Sequence, residues 1–393
     1  MKSSSADAAA LLERVERFAR DEVAPTAAAR DREARFDRAI WRGLADTGLL
    51  RALLPEAQGG LGLGFEALSG ALRALAEQGG DLSLCVSLAP ALSIMNLVIA
   101  RRGTDAQKTR FLPRLVSGEW VPAVAFSELP HGANPKHLAT RAERHGDTWI
   151  VDGLKAFVTN GTEADLYLVM AITEEKDGRM GFSAFLVERS APGVAVEERM
   201  AIDFVRAAPH GIIRFKEVRT PEENRIGPLH GALAISRKLR EGEDAIGAST
   251  IAGHMARTVG LAASLAAGAV GADPDRAEAL GALRALAEQA TAQADRVAAL
   301  WPTRMGSVEQ RGSREDERFL ATLLAGRETA RLFHERLGAL LQDLSPKPDS
   351  DLERAVRDLS LSRIGGGAAK REMVRLGQRL AARAGTVPPT SRR

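Results

Sequence analysis

The sequence lacks the features that mark a secreted, metal-binding or nucleic-acid-binding protein. Cys85 is the only cysteine among 393 residues, which excludes a disulfide framework and a thiolate metal site. The seven histidines are scattered and form no H-E-x-x-H pair, so no metal site is predicted. Aromatic residues make up only 4%, and the core must therefore consist mainly of alanine, leucine and valine, a composition that favours helix.

Neither charge nor apolar residues are concentrated in long runs. The net charge is +3 without a Lys/Arg tract, so nucleic acid is not predicted as a partner, and the small basic excess suits an anionic partner or an ordinary solvated surface. The most apolar stretch, 84–100, is interrupted by Pro90 and Asn96, whereas a membrane span needs about 20 apolar residues. We predict a buried core helix there and no membrane association. Because no charged-then-apolar leader opens the sequence, we expect a cytoplasmic protein.

Hydrophobic spacing divides the chain into three parts. From Asp7 onward apolar residues recur at the spacing of a helix, with Pro25 expected to break the first one. The glycine-rich run 59–64 follows no strand and is predicted to be a loop and not a dinucleotide-binding turn. The pattern changes near Trp120 and later returns to helix. We predict an N-terminal helical domain over residues 1–118, a β domain over 119–228 and a C-terminal helical bundle over 229–393.

The middle part contains short apolar stretches without intervening helices, the pattern of a small antiparallel barrel or sandwich. Residues 149–158 are predicted to form a hairpin that turns at Asp152-Gly153, because this pair tolerates positive φ. Further strands are predicted at 167–171, 182–187, 194–196 and 212–215.

The last part has the pattern of a four-helix bundle, in which long helices are joined by short links. The helices are predicted over 229–271, 275–300, 314–343 and 351–384, with breaks at 271–274, 302–312 and 345–350 and a frayed tail over 386–393.

Four stretches, in this order along the chain, resemble motifs of one family. Residues 41–64 (WRGLADTGLLRALLPEAQGGLGLG) are similar to the segment that precedes the substrate-cavity helices in this family. Residues 103–119 contain the family's short motifs G-T-x-x-Q-K, L-P and S-G-E. Residues 151–161 (VDGLKAFVTNG) resemble its N-G-x-K-x-W-I-T-N-G segment. Arg357-Asp358 and residues 364–367 (IGGG) resemble the end of its last helices. The family is that of the acyl-CoA dehydrogenases, and the resemblance extends along nearly the whole chain.

The resemblance implies a mainly α fold with a β domain: an N-terminal helical domain, a middle antiparallel β-barrel or sandwich, and a C-terminal four-helix bundle. It also implies FAD bound between the β domain and the bundle. In the family a carboxylate removes the α-proton of an acyl thioester while the β-hydrogen leaves as hydride to the flavin. The implied partners are an acyl-CoA or acyl carrier protein substrate and an electron-transfer flavoprotein, and the implied assembly is a homodimer or homotetramer.

Two loops match the family's flavin-binding segments. Residues 125–134 (AFSELPHGAN) stand where the family has T-E-P-x-A-G-S-D, so Phe126, Ser127 and Gly132 are expected at the cofactor and Ala133 and Asn134 at the substrate. The alternative is a loop that has lost flavin binding.

In the second loop, Phe157 replaces the usual tryptophan as a flat apolar partner of the flavin ring. Val158 follows it, and Thr159 offers a hydroxyl and an amide beside the flavin edge.

The catalytic base has two known positions in this family. One is a glutamate in an E-G-T motif of the final loop, where this chain has G-G-G-A over 365–368. The other, in isovaleryl-CoA dehydrogenase-like members, is a glutamate on the first bundle helix, which by counting from Gly253 and Gly260 corresponds to Glu243. The alternative is that Glu241, Glu243 and Asp244 form a solvated acidic helix face. Asp244 replaces an arginine that the family places beside the active site and is expected at the substrate.

Three departures fall in the last third of the chain. The family's R-x-x-F-G motif has no match between residues 270 and 285, and D-L-S-P-K-P over 343–348 stands where Q-x-x-G-G is expected. Ala368 replaces the threonine of the last loop. Because a phosphate cradle needs the close backbone approach that glycine permits, these changes predict weak FAD affinity, a different dinucleotide pose or no FAD.

Three functions are therefore compatible with the sequence. The first is a flavin-dependent dehydrogenase for a short, branched or carrier-protein-bound acyl thioester, with Glu243 as the base. The second is a flavin-free relative that serves as a structural partner subunit. The third keeps the flavin and uses O₂, as the monooxygenases and oxidases of the same fold do.

Overall fold

The N-terminal part of the protein is helical. A computed structural model describes residues 5–270, 273–305, 314–342, 344, 346–348, 350–363 and 366–385. The predicted tail over 386–393 lies outside these residues, as do parts of the predicted breaks. The first helices are α1 (Ser5–Phe18), α2 (Ala24–Arg32), α3 (Arg38–Asp46), α4 (Phe65–Gly79), α5 (Leu82–Ser93), α6 (Ala100–Arg102) and α7 (Asp105–Val116).

The predicted break at Pro25 was wrong. Helices α1 and α2 form one continuous rod, joined by the π-helical turn Ala19–Val23, and Pro25 lies in the first turn of α2. A proline inside a regular helix lacks a donor and its ring presses on the carbonyl four residues earlier. The wider π turn supplies the local adjustment that accommodates it.

The apolar helix Leu82–Arg102 passes through the middle of this domain. It comprises α5, the π turn Ile94–Ile99 and α6, and the Asp81 side chain caps it by accepting from the Leu84 amide at 3.0 Å. By length and composition it could cross a membrane, with a mean hydropathy of 2.0, but 89% of its apolar window is buried inside the protein. It is therefore a core helix, as predicted, and it runs uninterrupted through Pro90 and Asn96.

The middle part is a single mixed sheet that is mostly antiparallel. Within the described residues its strand order is β6-β7-β3-β2-β4-β5-β8, and β1 pairs with β4 in parallel. The strands are β1 (Pro122–Ala125), β2 (Arg141–His145), β3 (Thr148–Val158), β4 (Leu166–Lys176), β5 (Arg179–Glu188), β6 (Val194–Arg199), β7 (Gly211–Pro221) and β8 (Arg225–Ile226). The strands predicted at 167–171, 182–187, 194–196 and 212–215 are confirmed within β4 to β7.

The predicted hairpin turn at Asp152-Gly153 was wrong. Strand β3 continues through both residues, and the tight turn lies at Gly146-Asp147, between β2 and β3. Gly153 is required for another reason: a Cβ there would lie 2.3 Å from the Thr140 Oγ1 atom, and the β3–β7 pairing shifts register beside it. The glycine thus permits a close approach inside the sheet and not a reversal.

Strand β4 joins two cores through its alternating side chains. Leu168 and Met170 face the helical domain, whereas Tyr167 and Val169 pack inside the sheet with Phe215 of β7. This alternation is the period-two geometry of a strand that is covered on both faces. The β domain is therefore fixed against the helices over a broad apolar surface.

The last part contains the bundle helices α8 (Ala232–Val270), α9 (Pro274–Met305), α10 (Arg314–Leu341), α11 (Asp351–Asp358) and α12 (Gly366–Gly385). The first three agree with the predicted segments, but the fourth is split by the short 3₁₀ helix Leu359–Arg363. The G-G-G-A stretch is not a free loop, because residues 366–368 begin α12, while Gly365 lies outside the described residues.

Arg357 and Asp358 connect all three parts of the fold. The Arg357 guanidinium bonds the Asp31 carboxylate of α2 at 2.6 Å and the Asp358 carboxylate at 3.1 Å. The Asp358 carboxylate also accepts from the Val205 amide, in the link between β6 and β7, at 2.8 Å. Burial raises the pKa of Asp358 to about 6, against the opposing effect of its hydrogen bond and of Arg357. This buried cluster fixes the β6–β7 link against the bundle.

Candidate functional site

The first predicted flavin loop begins where β1 ends. Phe126 is buried and Ser127 is half-buried, and the Ser127 carbonyl accepts from the Ala156 amide of β3 at 2.9 Å. Gly132 has φ of +63° and exchanges two backbone hydrogen bonds with Glu128, which closes the loop into a tight turn. The loop is thus attached to the same strand that carries the second predicted flavin segment.

Glu128 is the internal anchor of this loop. Its carboxylate accepts from the Ala139 amide at 2.7 Å, and from the Thr140 amide and hydroxyl at 3.1 and 2.7 Å. The Lys155 ammonium of β3 donates to it at 2.7 Å. Glu128, which corresponds to the glutamate of the family's T-E-P-x-A-G-S-D motif, therefore has a structural role in this loop.

Lys155 is fully buried, and sequence reasoning did not select it. Burial lowers its pKa to about 8, against the opposing charge of Glu128, so it remains mostly protonated at neutral pH. For Glu128 burial acts to raise the pKa, but Lys155 and the hydrogen bonds outweigh it and the net pKa is lowered. The signal was available, because the lysine belongs to the N-G-x-K-x-W motif by which the segment was recognised.

The predicted substrate residues of the first loop lie at its outer end. Ala133 is half-buried, and Asn134 is exposed. The Asn134 side chain accepts from the Lys136 amide at 3.2 Å and so caps the short 3₁₀ turn Pro135–His137. The predicted contact of both residues with substrate stays a prediction.

The second flavin segment presents an aromatic ring on a strained backbone. Phe157 has φ of +55°, a conformation that costs a bulky residue on the order of 1–3 kcal/mol, and its side chain is 45% exposed. Its amide donates to the Met200 sulfur at 3.3 Å. Such strain is retained only where the surroundings impose it, and it is concentrated at ligand-binding sites.

The residues after Phe157 show how the strain is imposed. Asn160 is buried and its amide donates to the carbonyls of Ser87 and Pro122 at 2.9 and 3.1 Å. The Tyr167 hydroxyl donates to the Gly161 carbonyl at 2.7 Å, and Val158 is fully buried. Buried contacts therefore fix the turn, while the Phe157 ring remains exposed and Thr159 is half-buried.

Thr159 contacts a histidine that the sequence analysis did not select. Its hydroxyl lies 3.1 Å from His210 Nε2, and His210 Nδ1 lies 3.1 Å from the Ala208 carbonyl. Burial lowers the pKa of His210, and the Ala208 hydrogen bond opposes this only in part. His210 directly precedes β7, whose Gly211 is paired with Val158. A single histidine before a strand carries no recognisable sequence signal.

This face fits a flat, partly apolar ring system such as that of FAD. An exposed aromatic ring held at positive φ offers a stacking surface, and a half-buried hydroxyl beside it offers a polar contact for the ring edge. Phe157 and Thr159 would hold the flavin at this face, and the predicted flavin contacts of Phe126, Ser127, Gly132 and Val158 stay predictions.

We expect Phe157→Asn to weaken FAD binding by about tenfold or more, since stacking of a flat ring on an aromatic side chain contributes about 1–3 kcal/mol. Asparagine tolerates the left-handed conformation, so the flavin-free variant should fold normally. Phe157→Trp, which keeps a flat apolar ring, is the matched control and should retain affinity. Titration of each protein with FAD measures the effect. Equal affinity of the asparagine variant and the parent would remove Phe157 from the site.

Glu243 lies on α8, where that helix passes close to the apolar helix. A Cβ on the preceding Gly242 would lie 2.5 Å from Leu97 Cδ1 and 2.9 Å from Ser93 Oγ, so glycine permits the close contact. The Glu243 side chain is only partly exposed. Burial, and secondarily the charge of Asp244, raises its pKa to about 7, against the weaker effect of Arg240. A carboxyl with this pKa can take up a proton at neutral pH.

The neighbouring acids have different surroundings. Glu241 pairs with Lys238 at 3.1 Å, and Asp244 pairs with Arg327 of α10 at 2.5 Å. The acidic run is therefore not a uniform solvated face. Asp244 contributes to the contact between α8 and α10 and raises the pKa of Glu243, while its predicted role at the substrate stays a prediction.

Helix Leu82–Arg102 brings Glu243 and the flavin segment together. Asn160, next to Thr159, bonds the Ser87 carbonyl, and Gly242, next to Glu243, packs on Ser93. Six residues of helix separate these contacts, which is roughly 9 Å along the axis. One buried helix thus contacts both the residue after Thr159 and the residue before Glu243, which places these two stretches of backbone near one another.

Known proteins resemble this chain in sequence and in fold. Models of the acyl-CoA dehydrogenase N-terminal domain and middle domain match residues 5–119 and 123–218, which together make up more than half of the chain. Mitochondrial isovaleryl-CoA dehydrogenase of Oryza sativa subsp. japonica is 32% identical over 217 residues, which cover 55% of this chain and 53% of that protein. The chain thus spans about half the length of the curated relatives it matches.

Two solved structures extend the similarity of fold to the bundle. PigA with FAD and proline has a TM-score of 0.86 at 22% identity and covers 97% of this chain and 99% of its own. The prolyl acyl carrier protein oxidase AnaB has a TM-score of 0.85 at 23% identity and covers 96% and 99%. The fold and the two matched domains define a class of protein built from two helical parts around a β sheet. This chain belongs to the acyl-CoA dehydrogenase family.

Proposed function

We propose that the protein is a flavin-dependent dehydrogenase that introduces a double bond between Cα and Cβ of an acyl thioester. The observation that carries the proposal is Glu243, a partly buried carboxyl with a pKa of about 7 on a helix that packs against the same apolar helix as the strained Phe157–Thr159 turn. Glu243 takes the α-proton. FAD, when bound, supplies the acceptor for the β-hydrogen and its two electrons.

The raised pKa suits Glu243 to this task. A general base works best when its pKa lies near the operating pH, because it is then both ionised and basic enough to accept a proton. An exposed glutamate would be ionised but a weaker base. The contact of Gly242 with Leu97 and Ser93 keeps the α8 backbone close to the apolar helix at this point, where Glu243 is only partly exposed.

The substrate and partners belong to this proposal as well. The acyl group is carried by CoA or by an acyl carrier protein, in agreement with the names of the isovaleryl-CoA dehydrogenase and of AnaB. Ala133, Asn134 and Asp244 line the substrate side, and the exposed Arg240 on α8 offers positive charge near Glu243. We further propose a cytoplasmic homodimer or homotetramer that passes its electrons to an electron-transfer flavoprotein.

Reconstitution with FAD tests the proposal against the flavin-free alternative. We expect the purified protein to retain FAD through gel filtration, with the visible absorption of a bound flavin, and anaerobic addition of a short-chain acyl thioester to bleach it. A protein that binds no FAD from excess cofactor would contradict the proposal and favour a structural subunit. Rapid reoxidation of the bleached flavin by air with a hydroxylated product would favour oxygen chemistry.

A further inference from the structure

The hydrogen-bond chain at Thr159 has a defined direction. The Ala208 carbonyl can only accept, so His210 Nδ1, at 3.1 Å from it, carries a hydrogen. In the neutral ring the other nitrogen, Nε2, then has a lone pair and no hydrogen. The Thr159 hydroxyl, 3.1 Å away, must therefore donate to His210. Its oxygen lone pairs remain available to accept a hydrogen bond from a further partner.

We propose that His210 is a positioning residue that makes the Thr159 hydroxyl an acceptor toward bound flavin, and thereby favours the reduced form of the cofactor. The inference rests on the proposed function, which places Thr159 at the flavin edge. An oxidised flavin offers lone pairs at its ring nitrogens on that edge, whereas the reduced flavin carries an N–H there. A hydroxyl whose hydrogen is already donated to His210 complements the N–H and not the lone pair.

The surroundings keep His210 neutral and in place. Burial lowers the pKa of the ring, and the nearby charge of Arg199 acts in the same direction. The Met200 amide donates to the His210 carbonyl at 3.0 Å and so joins the two ends of this link, and the Val205 amide in its middle donates to Asp358. The backbone that carries the ring is therefore fixed, and the hydrogen bond from Nδ1 to the Ala208 carbonyl holds the ring beside Thr159.

Two replacements of His210 separate its two hydrogen bonds. Asparagine reaches the Ala208 carbonyl in place of Nδ1 but leaves Thr159 without an acceptor, whereas the longer glutamine places an amide oxygen where Nε2 lies. The expected result of His210→Asn is a lower midpoint potential of the bound flavin, because the freed hydroxyl can donate to the oxidised form. A change of this kind in hydrogen bonding alters the ratio of the affinities for reduced and oxidised FAD by about tenfold. For a two-electron couple, a tenfold change in this ratio shifts the midpoint potential by about 30 mV.

The test is a spectroscopic measurement of the midpoint potential of FAD bound to each variant. Thr159→Val should lower the potential as His210→Asn does, whereas His210→Gln should keep the potential of the parent. Adding His210→Asn to the Thr159→Val variant should cause no further change. The role of His210 would be overturned, and the proposed function left standing, by either of two results. His210→Asn could bind FAD with an unchanged potential, or it could lower the potential equally in the parent and in the Thr159→Val variant. Absence of FAD binding by the parent protein would overturn the proposed function and this inference with it.

Discussion

Replacing Glu243 by glutamine is expected to slow anaerobic bleaching of the bound flavin by an acyl thioester by about 10²–10⁴-fold, the usual contribution of a positioned general base. The amide has nearly the same size as the carboxyl but cannot accept the α-proton. FAD affinity should be unchanged, because Glu243 lies on α8 and the residues that would hold the flavin lie in the β domain. Stopped-flow absorbance measures the rate.

Glu241→Gln is the matched control for this experiment. Glu241 lies two positions earlier on the same helix and pairs with Lys238, so its replacement removes a carboxylate without removing the base. We expect its bleaching rate to remain near that of the parent. Equal rates in the parent and in Glu243→Gln would show that the base lies elsewhere in the protein.

The pH dependence of the reaction follows from the same residue. Since the base must be ionised, the bleaching rate should rise with pH and level off above a pKa of about 7. Ionisation of Glu243 should have the opposite effect on stability, which should fall as the pH rises. Its folded pKa lies above the ordinary value of 4.5, so the folded protein holds its proton more tightly and loses stability as pH rises from about 4.5 to 7.

Glu243→Gln should therefore be more stable than the parent above pH 7, by on the order of 2 kcal/mol, and nearly equal to it at pH 4. Urea unfolding at both pH values measures the difference. No gain at the higher pH would mean that the carboxyl is not held in the desolvated environment from which its role as a base is inferred.

The second large effect is expected at the buried pair of Glu128 and Lys155. Lys155→Met removes the cation and leaves the Glu128 carboxylate buried with its hydrogen bonds alone, which should cost about 3–5 kcal/mol of folding free energy. Because this pair attaches the first flavin loop to β3, FAD affinity should fall as well. Denaturant unfolding and FAD titration measure the two effects.

Two further variants identify the cause. Lys216→Met changes an exposed lysine on the neighbouring strand β7 and should alter stability little. The double variant Glu128→Gln with Lys155→Met removes both charges and should be more stable than Lys155→Met alone, since no unpaired charge remains buried. A double variant as unstable as the single one would attribute the loss to packing of the lysine chain.

The architecture was predictable because it depends on patterns that repeat along the chain. Helical spacing identified the N-terminal helical part and the bundle helices α8 to α10, and short apolar stretches without intervening helices identified strands β4 to β7. The errors concern single residues whose effect depends on distant partners. Pro25 did not break its helix, because a π turn precedes it, and Gly153 did not form a turn, because it makes room for Thr140.

The candidate site was predictable only in part for the same reason. Counting along a recognised pattern led to Glu243, and the structure then gave the physical cause of its raised pKa. The strain at Phe157 and the contact between Thr159 and His210 arise from the pairing of β3 with β7 and from the β6–β7 link. These contacts join residues far apart in sequence, and no local pattern encodes them. By contrast, the departures of the bundle from the family's R-x-x-F-G and Q-x-x-G-G motifs can be seen in the sequence itself.

Product analysis after a single anaerobic turnover tests the account most directly. The FAD-loaded protein is mixed with a saturated short-chain acyl thioester, the bleached flavin is quantified by absorbance, and the thioester is recovered for mass spectrometry. The account predicts one α,β-unsaturated thioester, lighter by two hydrogens, for each flavin bleached, and almost none with Glu243→Gln. Bleaching without an unsaturated product, or an unchanged thioester beside a fully oxidised flavin, would contradict it.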